Sequence, residues 1–406
     1  MNTDFYEGTV VYDHEEKRVK IKFIIGETTY IKAFDSRDSS DGSGRQLVLG
    51  ETVLLNVSQH DAGVVKIDSF KRAHQRFLAA VINAASGGVA TVESAEFPSD
   101  LKSLEIKTKD VVKDPRKSHN RAFLDEGEFV DLTIKDYENP SGTEITLADP
   151  GTFLERFSIV TKFDEKISAL AKLAQPEPWK HRDDKTKQEN PVLINYIKYT
   201  FSRLYIEKKI LYGNTRKNEE VAVWNTGLVS EGLEDIYGLH YRANEQKEYG
   251  PKWFFADFIR QSDPRATACD VPELASYFTD YSDIFFDPSR RIEIDTQHII
   301  KDRINRFPAV LRDQPNLISQ MLENQKNDIS RRIRRNYKTA VPQYHRGRIQ
   351  LLVPISFSEE TLRAKIADAA LMLVKHDKAY TAKTILELPH AYNNARLLTK
   401  PDSEWL

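Results

Sequence analysis

The stretch from Lys326 to Phe357, KNDISRRIRRNYKTAVPQYHRGRIQLLVPISF, passes from a helical period to a strand period and holds the densest arginines of the chain. Ile318, Leu322, Ile329, Ile333 and Tyr337 recur at helical spacing, which is the apolar stripe of an amphipathic helix. Arg331, Arg335 and Lys338 fall on another face, where like charges repel unless an anion sits among them. Pro342 reads as the end of the helix. The strand that follows alternates, with Ile349, Leu351 and Val353 to one side and Arg346, Arg348 and Gln350 to the other. Helix and strand both present guanidinium groups, whose planar donors suit phosphate better than lysine does. A solvated basic face is the plain alternative.

Outward from this stretch the chain keeps mixing helices with strands. Downstream, Ser358 caps a short acidic-first helix, and ALMLVKHDKAYTAKTILEL reads as a hairpin turning at Asp377-Lys378. Upstream lie two helical segments within 296–340 and three strands, VAVWNTGLV, DIYGLHYRAN and KWFFADFIR. Before them stand a periodic helix opened by Asn190-Pro191 as N-cap and first position, a Pro-rich charged linker and a short helix from Phe163 to Ala174. Strands in threes separated by helices define an α+β domain with a mostly antiparallel sheet.

The first 155 residues read differently. Five short alternating segments between Phe5 and Arg72, and about five more from Phe77 to Phe153, are separated by turn residues. Each set has the layout of a small Greek-key barrel of the OB or cold-shock type. The expected fold is therefore multidomain: OB-like barrels over 1–74 and 75–155, then the α+β domain over 156–406. A chain of 406 residues has room for two or three domains.

Composition narrows the class. One cysteine, Cys269, excludes an internal disulfide and fits a reducing, cytoplasmic setting. The ten histidines show no paired ligand spacing, so no metal and no cofactor are expected. No secretory signal or membrane-spanning run is evident. No dinucleotide fingerprint, P-loop or nucleophile elbow is present. The net charge of −2 hides a split: residues 1–155 hold 19 Lys+Arg against 27 Asp+Glu, and the remainder 40 against 34. Residues 290–350 alone carry 14 basic and 6 acidic side chains, so attraction for polyanions belongs to the C-terminal part.

Several motifs resemble a known family. Asn190-Pro191, Trp224-Asn225-Thr226-Gly227-Leu228, the closing Ala391-Tyr392-Asn393-Asn394-Ala395-Arg396-Leu397 and Lys400-Pro401-Asp402 occur in the order found in a bacterial family known as a domain of unknown function. The resemblance covers about 160–406, with His390 standing where an apolar residue is expected. It implies preceding cold-shock-like or OB modules and an association with nucleic acid, and it brings no reaction with it.

Candidate sites follow from residue chemistry. Asn225 and Thr226 in a glycine turn, and Asn393, Asn394 and Arg396 near the C-terminus, have amides for a base edge and a cation for phosphate. An ordinary turn and a helix cap are the plain readings. Arg331, Arg335, Arg346 and Arg348 complete the expected phosphate or nucleotide site, with all three segments meeting in one pocket. His345 is the candidate general acid, with His240 and His298 as alternatives and Tyr199 and Arg203 as possible cavity-lining residues. In the N-terminal half, Phe23, Tyr30 and Phe34 can stack bases or fill the core, and the basic loop with Arg116, Lys117 and Arg121 can clamp a strand. The leading expectation is binding of single-stranded RNA, with no membrane partner. The rivals are an RNA-processing or nucleotide-acting enzyme, for which the arginines would line a deep pocket, and an interaction scaffold, for which they would pair with the acidic barrels.

Overall fold

A computed structural model describes residues 5–16, 18–40, 47, 51–60, 64–73, 76–84, 88–94, 103–107, 111–112, 124, 128–133, 144–243, 251–345, 348–358, 360–361 and 367–401. The loop 113–121, with Arg116, Lys117 and Arg121, lies outside these residues, as does Arg346. The protein is multidomain, with largely antiparallel sheets in its N-terminal part and an α+β C-terminal part.

The alternating segments of the N-terminal part form strands as their patterns dictate. β1 (Tyr6–Asp13), β2 (Arg18–Ile25), β3 (Thr28–Lys32), β4 (Thr52–His60) and β5 (Val64–Arg72) make an antiparallel sheet in the order β3-β2-β1-β4-β5. Gly26, at φ +60°, provides the left-handed residue that the tight β2–β3 turn needs. Ile21, Phe23, Val53, Leu55 and Phe70 point inward and form its core. A second sheet is built from β6 (Arg76–Ala84), β7 (Val89–Glu93), β8 (Leu104–Lys107), β9 (Val111–Val112), β10 (Phe129–Thr133) and β11 (Glu144–Ala148). Its order is β8-β7-β6-β10-β11-β9. Among the described residues neither sheet closes on itself, since no pairing joins its two edges.

The C-terminal part repeats one topology. Its first unit runs α1 (Phe153–Phe157), β12 (Ser158–Ile159), α2 (Phe163–Leu173), α3 (Pro191–Ile206) and a meander of β13 (Leu211–Asn214), β14 (Glu220–Val229), β15 (Asp235–Arg242) and β16 (Trp253–Arg260). The second runs β17 (Arg291–Ile294), α4 (Thr296–Arg303), α5 (Pro315–Arg335) and a meander of β18 (Val341–His345), β19 (Arg348–Ile355), β20 (Ala369–Lys375) and β21 (Ala379–Leu386), closed by α6 (Leu388–Ala395). The sheet orders, β12-β16-β15-β14-β13 and β17-β21-β20-β19-β18, are the same arrangement. In each, the strand before the helices returns to pair in parallel with the last strand of the meander. Each also shifts register between its third and fourth meander strands, at Leu239/His240 and at Met372/Leu373.

Both sheets of this part are covered on both faces, and the sequences show it. On β19, Leu351, Val353 and Ile355 pack toward α5 with Ile318, Leu322, Ile329 and Ile333. Leu352 packs on the opposite face with Leu388, Ala391 and Ala395 of α6. The run 350–355 is therefore buried throughout instead of alternating, as strands sandwiched between helices are. Two details of the opening stretch come out differently. The α5 helix stops at Arg335, and Pro342 lies in β18. Proline is tolerated there because β18 is the edge of its sheet, where a missing N–H breaks no ladder. Tyr337, beyond the helix end, leaves the apolar stripe and is 63% exposed.

The core of the first unit centres on aromatic rings from several elements. Phe153, Phe157, Phe201, Trp224, Trp253 and Phe255 pack in one cluster with α3 across β14–β16. His240 sits among them, fully buried. Trp224 Nε1 can only donate, and it does so to His240 Nε2 at 2.9 Å. The Nδ1 atom therefore carries the proton and donates to Ser158 Oγ at 2.8 Å. Burial pushes the pKa of this imidazole down to about 3, so it stays neutral and structural. The unfolded chain, with an ordinary histidine value near 6.5, binds the proton first. Stability from this site is thus complete above about pH 6.5 and is lost as pH falls toward 3, by up to ~1.4 kcal/mol per pH unit. Thermal melts between pH 7 and pH 5 are expected to show a declining Tm in the wild type and a flatter, lower profile in His240→Asn. An unchanged slope in the variant would contradict this assignment.

Candidate functional site

The C-terminal motif and the glycine turn meet at the junction of the two sheet units, through residues that neither motif contains. Arg396 follows α6 and reaches into the first unit, where its Nε and Nη2 atoms both donate to the Glu177 carboxylate, Nη2 at 2.9 Å. Its guanidinium plane lies between two rings, 5.2 Å from the centre of Trp179 and 4.5 Å from that of Tyr196. The side chains of Arg396 and Glu177 are only 11% and 8% exposed. Although burial alone would lower it, the Arg396 pKa is held above the ordinary arginine value by Glu177. Tyr196 also backs the other motif. Gly227 has φ +74°, and a Cβ at that position would come within 2.5 Å of the Tyr196 hydroxyl. Only glycine therefore fits the turn against the tyrosine.

Most polar groups of the motifs are bound to the protein itself, Asn393 Oδ1 excepted. Asn225 donates from Nδ2 to Asp235 Oδ2 at 3.2 Å and to the Pro272 carbonyl at 3.1 Å. Its Oδ1 accepts from Gly227 N at 2.9 Å. Thr226 donates to the Ile236 carbonyl at 2.6 Å and accepts from Leu228 N. On the other side, Asn394 donates to Gln343 Oε1 at 3.1 Å, and Gln343 donates in turn to Gln350 Oε1 at 2.8 Å. Beside this relay Arg203 donates to the Tyr344 hydroxyl at 2.9 Å, and Tyr277 meets Thr200 at 3.0 Å. The basic stretch thus supplies Gln343 and Tyr344 to the junction, while its arginines lie elsewhere.

Next to the junction is a groove of about 1040 Å³ between the starts of α3 and α6, which Asn195, Tyr199 and Asn393 help to line. The Asn393 carbonyl accepts from Asn195 Nδ2 at 3.4 Å, and Asn393 Oδ1 is buried without a partner. Its ionised lining is dominated by carboxylates: Asp149, Asp183, Asp184, Asp368 and Glu387 against Lys185 and Lys198. Lys198 is itself paired with Glu155 at 2.7 Å. Among these carboxylates, Asp184 is held below the usual aspartate range by the Thr186 backbone N–H. A phosphate would be repelled here.

The arginines lie apart from this groove, exposed at the end of α5 and on the β18–β19 hairpin. Arg331, Arg334 and Arg335 at the end of α5 are exposed, as are Tyr337 and Lys338 in the turn that follows. Arg348 and His345 face each other across the β18–β19 hairpin, both exposed. From Lys326 to Arg348 there are eight Lys and Arg and a single acid, Asp328, which sits 3.8 Å from Arg331. Among the described residues no ion pair is made to Arg334 or Arg335. Among the described residues, Arg156–Asp131 and Lys208–Glu93 pair the second sheet with the C-terminal part and use other residues. His298 pairs with Asp302 at 3.5 Å. In the first sheet Phe23 is 2% exposed and stacked on the half-buried Tyr30, while Phe34 packs edge-on against Phe70.

Sequence reading missed Glu177 and Trp179 because the segment QPEPWKHRDDKTKQEN has the composition of a solvated linker, and Tyr196 because on α3 it reads as one more core aromatic. A tryptophan inside such a segment was the available signal, since a ring of that size is rarely left in water.

What these features define is a duplicated α+β unit with a buried polar junction, an acidic groove and an exposed basic face. Residues 170–405 match the family model described as a domain of unknown function (DUF3825), and the chain belongs to that family. No curated protein matches it. A solved structure, that of a multidomain protein with nucleic acid binding domains from Streptococcus pneumoniae TIGR4, is similar at 9% identity over 86% of this chain and 98% of that one. The TM-score is 0.13, and a likeness at that level carries no argument about fold or function. Among the described residues no helix is long and apolar enough to cross a membrane.

The junction makes a direct prediction. Removing one partner of a buried ion pair leaves an uncompensated charge, at a cost of about 3–5 kcal/mol. Glu177→Gln is expected to lower the unfolding free energy by about that amount in urea melts. A variant as stable as the wild type would show that the Arg396 charge is solvated or otherwise paired.

Proposed function

We propose that the protein binds nucleic acid, single-stranded RNA, on the open basic face formed by the end of α5, the turn after it and the β18–β19 hairpin. The observation that carries this reading is the placement of the guanidiniums. Arg331, Arg334, Arg335 and Arg348 are each exposed, and the groove described beside the junction is lined by carboxylates. Phosphates along a strand can reach several such groups at once, whereas a single nucleotide in the groove would meet negative charge. An open surface favours binding without chemistry over the deep arginine-lined pocket that an enzyme acting on RNA ends would use.

The N-terminal sheets fit the same reading as accessory modules. A three-strand meander followed by two strands that return beside the first gives the order β3-β2-β1-β4-β5, the order of an OB-type barrel opened between its third and fifth strands. Tyr30 and Phe34, both half-buried, are the aromatic groups on that sheet from which a stacking contact would be built.

Charge reversal tests the proposal. Arg334 and Arg335 are exposed, so Arg334→Glu with Arg335→Glu leaves the fold and its melting temperature in place. Anisotropy of a labelled RNA oligonucleotide across a salt series is expected to show at least ~10-fold weaker binding, with the slope of log K against log salt reduced by about 1.4 for two lost phosphate contacts. Unchanged affinity and slope would remove this face from the binding site.

A further inference from the structure

The residue that leaves the apolar stripe of α5 has a place in this surface. Ile318, Leu322, Ile329 and Ile333 are buried under β19, and Tyr337 is the next position on the same stripe. The helix ends before it: Asn336 turns to extended backbone at φ −143°, ψ 102°, and its side chain accepts from Lys338 N at 3.1 Å. Tyr337 is thereby turned to solvent, 63% exposed, directly after Arg334 and Arg335 and beside Lys338. Among the described residues its aromatic neighbour is Phe285, 49% exposed, with ring centres 6.0 Å apart at 60°.

We propose that Tyr337, braced by Phe285, is a base-stacking platform, and that it makes this face selective for unpaired bases over duplex. The inference rests on the nucleic-acid reading of the basic face and adds the ligand's state to it. Guanidiniums take phosphate without regard to pairing, but an aromatic face can stack only on a base whose own face is free. The geometry also limits how the base sits. A base sandwiched between two parallel rings needs about twice the ~3.4 Å stacking distance. Rings 6.0 Å apart and inclined at 60° leave no such slot, so the base lies on the open side of Tyr337, with Phe285 holding the tyrosine ring from behind. Tyr281, 72% exposed, pairs edge-on with Phe278 at 5.4 Å and is not part of this platform.

The test uses the full chain and two probes, a fluorescein-labelled oligouridylate and the same strand annealed to oligoadenylate. Tyr337→Ala is expected to weaken the single strand about 10-fold and to leave the duplex within about twofold, while Tyr337→Phe keeps wild-type affinity for both. Phe285→Ala, which removes the brace and not the platform, is expected to give a smaller loss on the single strand alone. Equal loss on both probes, or none on the single strand, overturns the platform. If Tyr337→Ala is silent while Arg334→Glu with Arg335→Glu still weakens binding, the stacking inference fails and the basic face stands. If neither variant changes binding, the basic face itself is wrong.

Discussion

The C-terminal part depends on one buried cation. Arg396 belongs to the second sheet unit by sequence and to the first by contact, because Glu177, Trp179 and Tyr196 all lie in or beside the opening of α3. An arginine taken out of water must be paired and hydrogen-bonded, so this guanidinium has one acceptable position. That position fixes α6 against α3, where Asn195 meets Asn393, and brings β18 close enough for Tyr344 to meet Arg203. Other apolar contacts contribute more area, but they are non-directional. The ion pair between two rings supplies the direction, and the glycine turn at Gly227 exists to make room for the tyrosine that forms one wall of it.

Duplication explains how the charge comes to be segregated. Each unit lays helices on a five-stranded sheet, but only the long helix of the second unit leaves its far side to solvent. In the first unit α3 has polar residues occupied by the segment that leads into α1: Tyr199 bonds Asp149, and Ser202 bonds the Pro150 carbonyl. In the second unit the end of α5 has no such neighbour among the described residues, and there the arginines accumulate. Carboxylates gather instead in the groove between the units. The same topology therefore presents a consumed helix on one side and an open basic one on the other.

Much of this architecture was legible in the sequence. Alternation marked the strands of the first sheet, the three central strands of the first unit and the Asp377-Lys378 hairpin. The helix starting at Pro191 followed from its Asn-Pro opening and its period, although Asn190 makes no side-chain cap bond, and the short helix from Phe163 was also legible. What stayed hidden was non-local. The two-residue strand Ser158–Ile159 and the strand Arg291–Ile294 gain their identity only by pairing with strands nearly a hundred residues on, which no local period records. The duplication is likewise carried by pairing order and not by shared motifs. β18 was hidden by Pro342, because a proline in an edge strand looks the same in sequence as one that ends a helix. At the site, residue chemistry drew attention to Asn225, Thr226 and Asn394, whose groups hydrogen-bond within the protein. Their partners were invisible because each comes from another element. Tyr337 was placed in the stripe by its spacing, and only the helix end at Arg335 turns it outward.

The account stands on RNA lying along the end of α5 and the adjoining hairpin. Photo-crosslinking the full chain to a single-stranded RNA carrying 4-thiouridine, followed by peptide mapping of the adducts by mass spectrometry, tests that placement most directly. The account predicts adducts concentrated between Lys326 and Arg348, with Tyr337 the principal residue. Adducts confined to the groove between α3 and α6, or to the first sheet alone, with none between Lys326 and Arg348, would contradict it.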